Sequence, residues 1–506
     1  MLTPEHKRRG AQGAPDDGVV PLWAKVIDQS RCIGCHACTT ACKSENEVPL
    51  SVTRTYVKSV DVGVYPAVRR SFQVTRCNQC DDPPCVHACP TSAMHRRPDG
   101  IVDFDKSVCI GCKACIAACP YDAIFINPED HSAEKCNFCA HRIDMGLEPA
   151  CVVVCPVEAI LVGDLRDPDS RVAQYVNREV VQVRKPEKAT RPKLFYKGAH
   201  IATLDPLAAR QPEGELYMWS EQPAGLREVG TGSRTSPANS SAAAIVSYDV
   251  SHRAPWDWRV SLYTWTKGLA AGVYLAALLL GMGTRWPVLT PLLSAIALGV
   301  TGVILIADLE HPSRFVLIFT RPQWRSWLVR GAAVIGLYGL VLGVHFVLGV
   351  AGETQLTRWL AIAGAPLAVL TAVYTAFLLA QARARDLWQN PLLAPHMLVQ
   401  AVMLGAAVEV LLGVSGAVWL LAAAALTHLL LLAAEITIGH PTAHARAAAH
   451  EMTRGRYARW FWPGVALAVV AVPAPWLGPA AAIAALIAVL AYEHAYVQAG
   501  QSVPLA

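Results

Sequence analysis

No cysteine stands before Cys32 or after Cys155, so most of the 506-residue chain has none to give to a disulfide or a metal. Charge is scarce too: 16% of the residues are charged against 53% hydrophobic, and the mean hydropathy is +0.32. That is too apolar for an ordinary water-soluble enzyme. The scarcity is uneven, because the stretch before about Trp258 is polar and turn-rich, and the rest is long runs of Ala, Leu, Val and Gly. No basic stripe interleaved with aromatics exists, so the net charge of +5 argues about membrane topology and not about a nucleic acid. No apolar run follows Lys7-Arg8-Arg9, and residues 1–22 read as a disordered arm of solvated charge, not as an export signal.

What is present is sixteen cysteines in four groups of four: Cys32, Cys35, Cys38, Cys42; Cys77, Cys80, Cys85, Cys89; Cys109, Cys112, Cys115, Cys119; and Cys136, Cys139, Cys151, Cys155. Three groups end in Cys-Pro, at Pro90, Pro120 and Pro156. Cys-x2-Cys-x2-Cys-x3-Cys-Pro is the spacing by which bacterial ferredoxins hold [4Fe–4S] clusters, the fourth cysteine serving the other cluster. The third group fits fully, the first has Lys43 in place of proline, and the second and fourth lengthen the loop after the second cysteine. Disulfides suit small secreted domains, unlike this long chain with cysteines in close runs. Structural zinc uses Cys-x2-Cys knuckles but not the x2-x2-x3 run. At four thiolates per cubane, sixteen cysteines make four clusters with none left over.

Short apolar strands (AKVID, GIVDFD, AIFIN, AILVGD) flank the cysteine loops, and the repeated CIGC at Cys32 and Cys109 suggests a duplicated two-cluster unit. The runs VTRCNQCDDPPCVHACPTSAM, GIVDFDKSVCIGCKACIAACPYDAI and EKCNFCAHRIDMGLEPACVVVCPVEAI resemble the electron-transfer subunit of the dimethyl sulfoxide reductase family of molybdoenzymes, over about residues 24–200. That resemblance implies the cluster sets: Cys32, Cys35, Cys38 with Cys155; Cys136, Cys139, Cys151 with Cys42; Cys77, Cys80, Cys85 with Cys119; and Cys109, Cys112, Cys115 with Cys89. Some relatives lose the second cysteine of the third group and hold a three-iron cluster; Cys112 is present here, which implies four [4Fe–4S] cubanes.

The domain reading is a disordered arm (1–22), a four-cluster ferredoxin domain (23–200), a Pro/Gly/Ser/Ala-rich linker (201–258) and a transmembrane anchor (259–498). The expected fold is an α+β double ferredoxin-like iron–sulfur domain followed by an all-α transmembrane bundle of about eight helices. A bilayer core of about 30 Å takes roughly 20 helical residues. Candidate spans lie near 260–282, 287–307, 327–350, 358–380, 392–413, 415–438, 460–474 and 477–496, the seventh shortened by Pro473 and Pro475. Trp256, Trp258, Trp286, Trp324, Trp327, Trp359, Trp388, Trp460, Trp462 and Trp476 flank them as an interfacial belt. Arg314, Arg321, Arg325, Arg383, Arg385, Arg446, Arg454, Arg456 and Arg459 crowd one side, against Arg285 and Arg358 on the other. The positive-inside rule makes the crowded side cytoplasmic, with the ferredoxin domain on that face of the inner membrane. The alternative is that these arginines contact the cluster domain.

WTKGLAAGVYL, ADLEHPSRFVLIFTRPQWRSWLVRGA and AQARARDLWQNPLLAPHMLVQAV resemble the polysulfide reductase membrane-subunit (NrfD-like) family. Family membership implies an anchor that exchanges electrons with quinone, menaquinone or ubiquinone, here fused to the cluster subunit. Quinone chemistry needs titratable groups at the carbonyls. Lys267, Asp308 and His311, with Tyr263 nearby, are the expected quinone partners; the competing reading pairs Asp308 with Arg314 and lets Lys267 snorkel. Lys267 stands where many relatives have glycine. His345, Glu409, His428 and Glu435 lie deeper, as proton relays, packing contacts or, for His345 and His428, haem ligands, although the family it resembles lacks haem.

No nucleophile–base pair marks a catalytic centre, so the chain reads as the electron-transfer and anchor subunit of a quinone-linked oxidoreductase complex. Its partner is a large molybdopterin catalytic subunit, in a complex that a higher oligomer would also accommodate. A cytoplasm-facing sulfite dehydrogenase is the first activity by analogy. The rivals are the same module on a hydrogenase or formate dehydrogenase, and an ion-translocating quinone oxidoreductase.

Overall fold

The computed structural model describes residues 20–64, 66–210, 244–250, 252 and 254–506. Expectations for residues 1–19 and for the middle of the linker, 211–243, lie outside the described residues. The chain divides into two units, Met1–Arg253 with Pro504–Ala506, and Ala254–Val503.

In the first unit, short apolar segments pair around the thiol loops. The strands are β1 (Trp23–Asp28), β2 (Thr55–Val64), β3 (Ala67–Arg76), β4 (Met94–Arg96), β5 (Val102–Phe104), β6 (Ile124–Ile126), β7 (Ala133–Lys135), β8 (Ile160–Asp164), β9 (Val181–Gln182), β10 (Leu194–Lys197) and β11 (Ala244–Tyr248). They form one sheet ordered β8-β1-β10-β9, a second ordered β11-β2-β3, and the hairpins β4-β5 and β6-β7. β1 runs parallel to β10, Val26 opposite Phe195, and antiparallel to β8, Val26 opposite Leu161. The apolar cores are small, and cysteines supply much of them: Cys80, Cys85, Cys89, Cys109, Cys115 and Cys119 pack with Met94, Val102, Tyr121 and Ile124. Cys38 and Cys151 pack with Ile27, Val57, Ile160 and Tyr196.

The stretch expected as a linker is structured at both described ends. Ile201–Leu204 is a helical turn, and Ala244–Tyr248 is the third strand of a sheet, Ala244 opposite Val62. Residues 504–506 also belong to the first unit, where Asp122 accepts the Leu505 N–H at 2.7 Å and the Arg184 guanidinium donates to the Leu505 carbonyl at 2.9 Å.

The second unit is helical: α1 (Trp258–Leu279), α2 (Leu289–Ala307), α3 (Trp327–Val350), α4 (Thr354–Ala380), α5 (Leu393–Leu411), α6 (Ala417–Thr437), α7 (Ala458–Ala471) and α8 (Pro479–Ser502), with the shorter helix Ala443–Thr453 before α7. Each matches one of the eight expected segments. Among the described residues, six are long and apolar enough to cross a membrane: α2 to α6 and α8. α7 is too short at 14 residues and carries Pro463, while α1 is long enough at 22 residues but holds Arg259, Lys267 and several hydroxyl side chains. α1 tolerates that polarity because it packs against α2, α4, α5 and α8 and buries most of its residues against protein. Gly272 and Gly405 allow the closest approach: a Cβ on Gly272 would lie 1.9 Å from the Ala401 carbonyl oxygen, and one on Gly405 1.9 Å from that of Gly272.

Three of the ten expected belt tryptophans are not at the surface: Trp256, Trp286 and Trp388 are buried, and Trp286 donates to the Thr357 carbonyl at 3.2 Å. Trp258, Trp324, Trp359 and Trp476 are well exposed, as a belt requires. Arg385 likewise leaves the loop charge count, because it is fully buried and donates to the carbonyls of Val503 at 2.8 Å and Gln501 at 3.3 Å.

Candidate metal centres and the polar interior of the membrane unit

The thiol loops share one backbone device. Gly34 and Gly111, each just before the second cysteine of its group, adopt left-handed φ of 71° and 69°. In the second and fourth groups Gln79 and Phe138 hold the same place at 47° and 69°. A left-handed residue there turns the chain tightly enough for successive thiols to face one interior. At Gly34 a side chain is excluded as well, since a Cβ would lie 2.3 Å from the Phe72 ring. After each Cys-Pro, Ser92, Asp122 and Glu158 are left-handed in turn, the three-fold echo of Cys-Pro-x-x-Ala. These turns aim backbone N–H groups at sulfur: Met94 donates to Cys89 Sγ at 3.4 Å and Ala159 to Cys155 Sγ at 3.2 Å.

The thiols gather across groups. Cys32 is flanked by Cys155 and Cys35, and Cys38 by Cys151 as well as by Cys32 and Cys155. Cys42 meets Cys136, Cys151 and Cys139 instead of its own group. Cys85 has Cys77, Cys119 and Cys80 around it, and Cys115 has Cys112, Cys89 and Cys109. A cavity is lined by Cys89, Cys109, Cys112 and Cys115, with Met94, Phe104 and Ile110 as its apolar wall. None of the sixteen cysteines is in a disulfide, and most are buried. Among the described residues no three His, Cys, Asp or Glu side chains converge on a point that one metal ion could fill. Thiols gathered from two groups, on turns that aim N–H groups at sulfur, fit an iron–sulfur cluster, which supplies one-electron chemistry when bound.

Burial pushes these thiols up: Cys38 and Cys119 to about 11, Cys80 to about 12, and Cys85 and Cys115 well above their ordinary value. Thiols so placed resist ionisation until a cation arrives to compensate them. Cys151 is the exception. Burial would raise it, but the charges of Arg76 and Lys25 hold it down at about 7. Arg76 Nη1 donates to Cys151 Sγ at 3.0 Å, and Lys25 Nζ lies 3.8 Å from the same sulfur. Asn46 Nδ2 reaches Cys42 Sγ at 3.6 Å and Cys139 Sγ at 3.7 Å, and Arg54 holds Asn46 in place from Nη1 at 2.7 Å. Cys42, Cys139 and Cys151 therefore have three side-chain donors around them, Arg76, Lys25 and Asn46. Composition alone did not mark Arg76, Lys25 or Asn46.

In the membrane unit, Lys267 is buried and does not snorkel. Its Nζ donates to Thr375 Oγ1 at 2.7 Å and the Ala372 carbonyl at 2.9 Å, 4.8 Å above the Tyr374 ring. Tyr263 is buried within charge range of Asp308 and in contact with Thr375, so Lys267, Tyr263 and Asp308 share one neighbourhood. His311 opens the turn Pro312–Arg314, half-buried. Sequence reasoning missed Glu493 of α8, which accepts from Thr264 Oγ1 at 2.7 Å and lies within charge range of Lys267.

The deeper groups separate. Glu409 lies within charge range of Arg285, and His345 is caged by Trp286 and Tyr274, ring centroids 4.8 and 5.8 Å away. His428 Nδ1 lies 2.8 Å from His396 Nε2, within hydrogen-bond distance. Glu435 accepts from Tyr492 Oη at 2.7 Å and Asn390 Nδ2 at 3.1 Å.

The comparisons with known proteins divide the sequence at the same place. Residues 68–165 match a 4Fe-4S dicluster domain, residues 23–44 a 4Fe-4S binding domain, and residues 247–489 the family described as polysulphide reductase, NrfD. The first part is 44% identical over 207 residues to the B component of the tetrathionate reductase of Salmonella typhimurium, covering 39% of this chain and 80% of that protein. This protein belongs to the family of reductase iron–sulfur subunits. Two further members of that family are similar: the B component of the polysulfide reductase of Wolinella succinogenes (42% over 176 residues, 34% of this chain and 92% of that protein) and the arsenate respiratory reductase iron–sulfur subunit of a Shewanella species (36% over 219 residues, 34% and 94%). In this member the iron–sulfur part continues into an NrfD-type membrane domain, which makes it a multi-pass membrane electron-transfer subunit.

Proposed function

We propose that the chain relays single electrons through four [4Fe–4S] clusters between a separate molybdopterin catalytic subunit and a quinone bound in the membrane unit. The clusters are assigned to Cys32, Cys35, Cys38 and Cys155; Cys42, Cys136, Cys139 and Cys151; Cys77, Cys80, Cys85 and Cys119; and Cys89, Cys109, Cys112 and Cys115. The observation that carries this reading is the crossing of the thiols: Cys42 gathers with the fourth group, while Cys155 gathers with the first. The crossed pattern makes neighbouring clusters share a chain segment, which keeps them close enough for electrons to pass. Tyr263 and Lys267, with Asp308 and His311, are the quinone-facing groups, since they bring an ammonium, a phenol, a carboxylate and an imidazole to one end of the bundle.

Relatives named for tetrathionate, polysulfide and arsenate make a sulfur compound or oxyanion the substrate class of the partner. With the arginine-rich loops in the cytoplasm, the cluster unit faces that side of the inner membrane and sulfite oxidation is the first reaction to assay. Purification of the complex from its native membrane, with metal analysis of the large subunit, tests the assignment. Molybdenum with a pterin is the expected result. Nickel would move the chain to a hydrogenase, and a quinone-inert complex would remove the membrane half of the proposal.

A further inference from the structure

Inside the membrane unit five side chains from α5, α6, α8 and the segment before α5 form one hydrogen-bonded file. Asn390 Nδ2 donates to Glu435 Oε1 at 3.1 Å, and Tyr492 Oη donates to Glu435 Oε2 at 2.7 Å. The same phenol oxygen lies 3.4 Å from His396 Nδ1, and His396 Nε2 lies 2.8 Å from His428 Nδ1. Glu435, Tyr492, His396 and His428 are all at least nine-tenths buried. Beyond them, among the described residues, His428 Nε2 is buried without a hydrogen-bond partner.

The file has a direction. Glu435 sits in the last turn of α6 and Asn390 just before α5 begins, at the same end of two antiparallel helices. His428 lies deeper in α6, about 14 Å along the axis from that end at 1.5 Å per residue. We propose that this file conducts protons from the loop end of the bundle to the interior, and that it serves the quinone. This deepens the quinone-linked reading and rests on it.

The proton balance closes at every junction. In the loaded arrangement protonated Glu435 donates to Tyr492, Tyr492 to His396 Nδ1, and His396 Nε2–H to His428 Nδ1, leaving His428 Nε2–H at the inner end. Moving each hydrogen across its own junction takes one proton from Glu435 and delivers one from Nε2 to an acceptor. The phenol then donates to the Glu435 carboxylate, and both imidazoles are neutral again as the opposite tautomers. A second proton also needs both imidazoles back as Nε2–H tautomers, so the full cycle consists of reprotonation of Glu435 from the loop end, rotation of the phenol hydrogen and tautomer exchange of His396 and His428. A purely structural cluster has no need for every member to be both donor and acceptor, nor for a bare imidazole nitrogen at its inner end. Glu409, a buried carboxyl of α5, lies toward the opposite end near Arg285 and takes no part.

The test uses the full chain with its clusters, in lipid nanodiscs, reduced with dithionite and freed of excess reductant. Two reduced clusters and two protons convert one molecule of menadione to its quinol, so cluster reoxidation reports electrons and a pH dye reports protons. Ferricyanide takes electrons without protons and serves as the control. Tyr492→Phe keeps the ring and removes the hydroxyl that joins Glu435 to His396. It is expected to slow reoxidation by menadione at least ten-fold and leave reoxidation by ferricyanide at the parent rate. Glu435→Gln is expected to do the same, and decides the matter if the phenylalanine variant does not fold. Parent-like rates with menadione in a folded variant would overturn the proton path alone. A parent chain that ferricyanide reoxidises and menadione does not would overturn the quinone reading and the path with it.

Discussion

Arg76 is the residue on which the cluster unit's chemistry turns most sharply. It ends β3, is buried, and points one guanidinium nitrogen at Cys151. Two of its other nitrogens, Nε and Nη2, are buried without a hydrogen-bond partner among the described residues, as they would be if cluster sulfides were their acceptors. A fixed cation beside a cluster favours the reduced, more negative state. Arg76→Met is therefore expected to lower the midpoint potential of one cluster by about 60 mV or more, equivalent to a factor of ten for one electron. The cluster assigned to Cys32, Cys35, Cys38 and Cys155, whose Cys38 also lies within charge range of Arg76, should fall by less, and the other two should stay in place. An EPR-monitored redox titration reads this directly, and an equal shift in all four clusters would mean that Arg76 acts on the fold and not on one centre. The gathering of the sixteen cysteines was legible from spacing because thiol chemistry leaves a short, periodic trace. Arg76 and Lys25 were not, since a basic residue in a strand looks the same in sequence whether it faces water or sulfur.

Among the elements, α1 and α5 decide whether the membrane unit packs. Their backbones touch at Gly272 and Gly405, where a methyl group would collide with carbonyl oxygen and not with a flexible side chain. Gly272→Ala is expected to cost about 1–3 kcal/mol, the usual penalty of overpacking, seen as a lower midpoint of thermal unfolding in detergent. Gly302→Ala in α2 is the control, because nothing lies within 4 Å of a Cβ there, and its midpoint should hold or rise. The spans themselves were readable from apolar run length, since lipid demands a minimum length of continuous helix. Which helix lies at the centre was not. α1 has the polar residues of a surface helix yet is surrounded by protein, and the pairing of Glu493 with Thr264 depends on how helices rotate against each other. The same holds for Arg385, Trp286 and Trp388, which run length and charge counting assign to the boundary and packing places inside.

Across the whole molecule the two units are held by different physics. The first has little apolar core apart from its thiols, so cluster binding is a large part of its folding free energy. The second is a helical bundle with its own alanine-rich core around Leu404, Leu421, Ala485 and Val489. Oxidative removal of iron in the presence of a chelator is expected to make the first unit sensitive to limited proteolysis while the helical circular dichroism of the second persists. Simultaneous loss of both would mean that the membrane unit depends on the clusters. One membrane-embedded chain is proposed to hold four [4Fe–4S] clusters, one per crossed thiol set. Iron and acid-labile sulfide determination on the anaerobically purified chain, with EPR spin counting after full reduction, tests it most directly. About sixteen irons and sixteen sulfides per chain, with reduced spectra broadened by coupling between neighbouring clusters, is the expected result. Half that iron content in a fully folded chain, or zinc in place of iron, would contradict it.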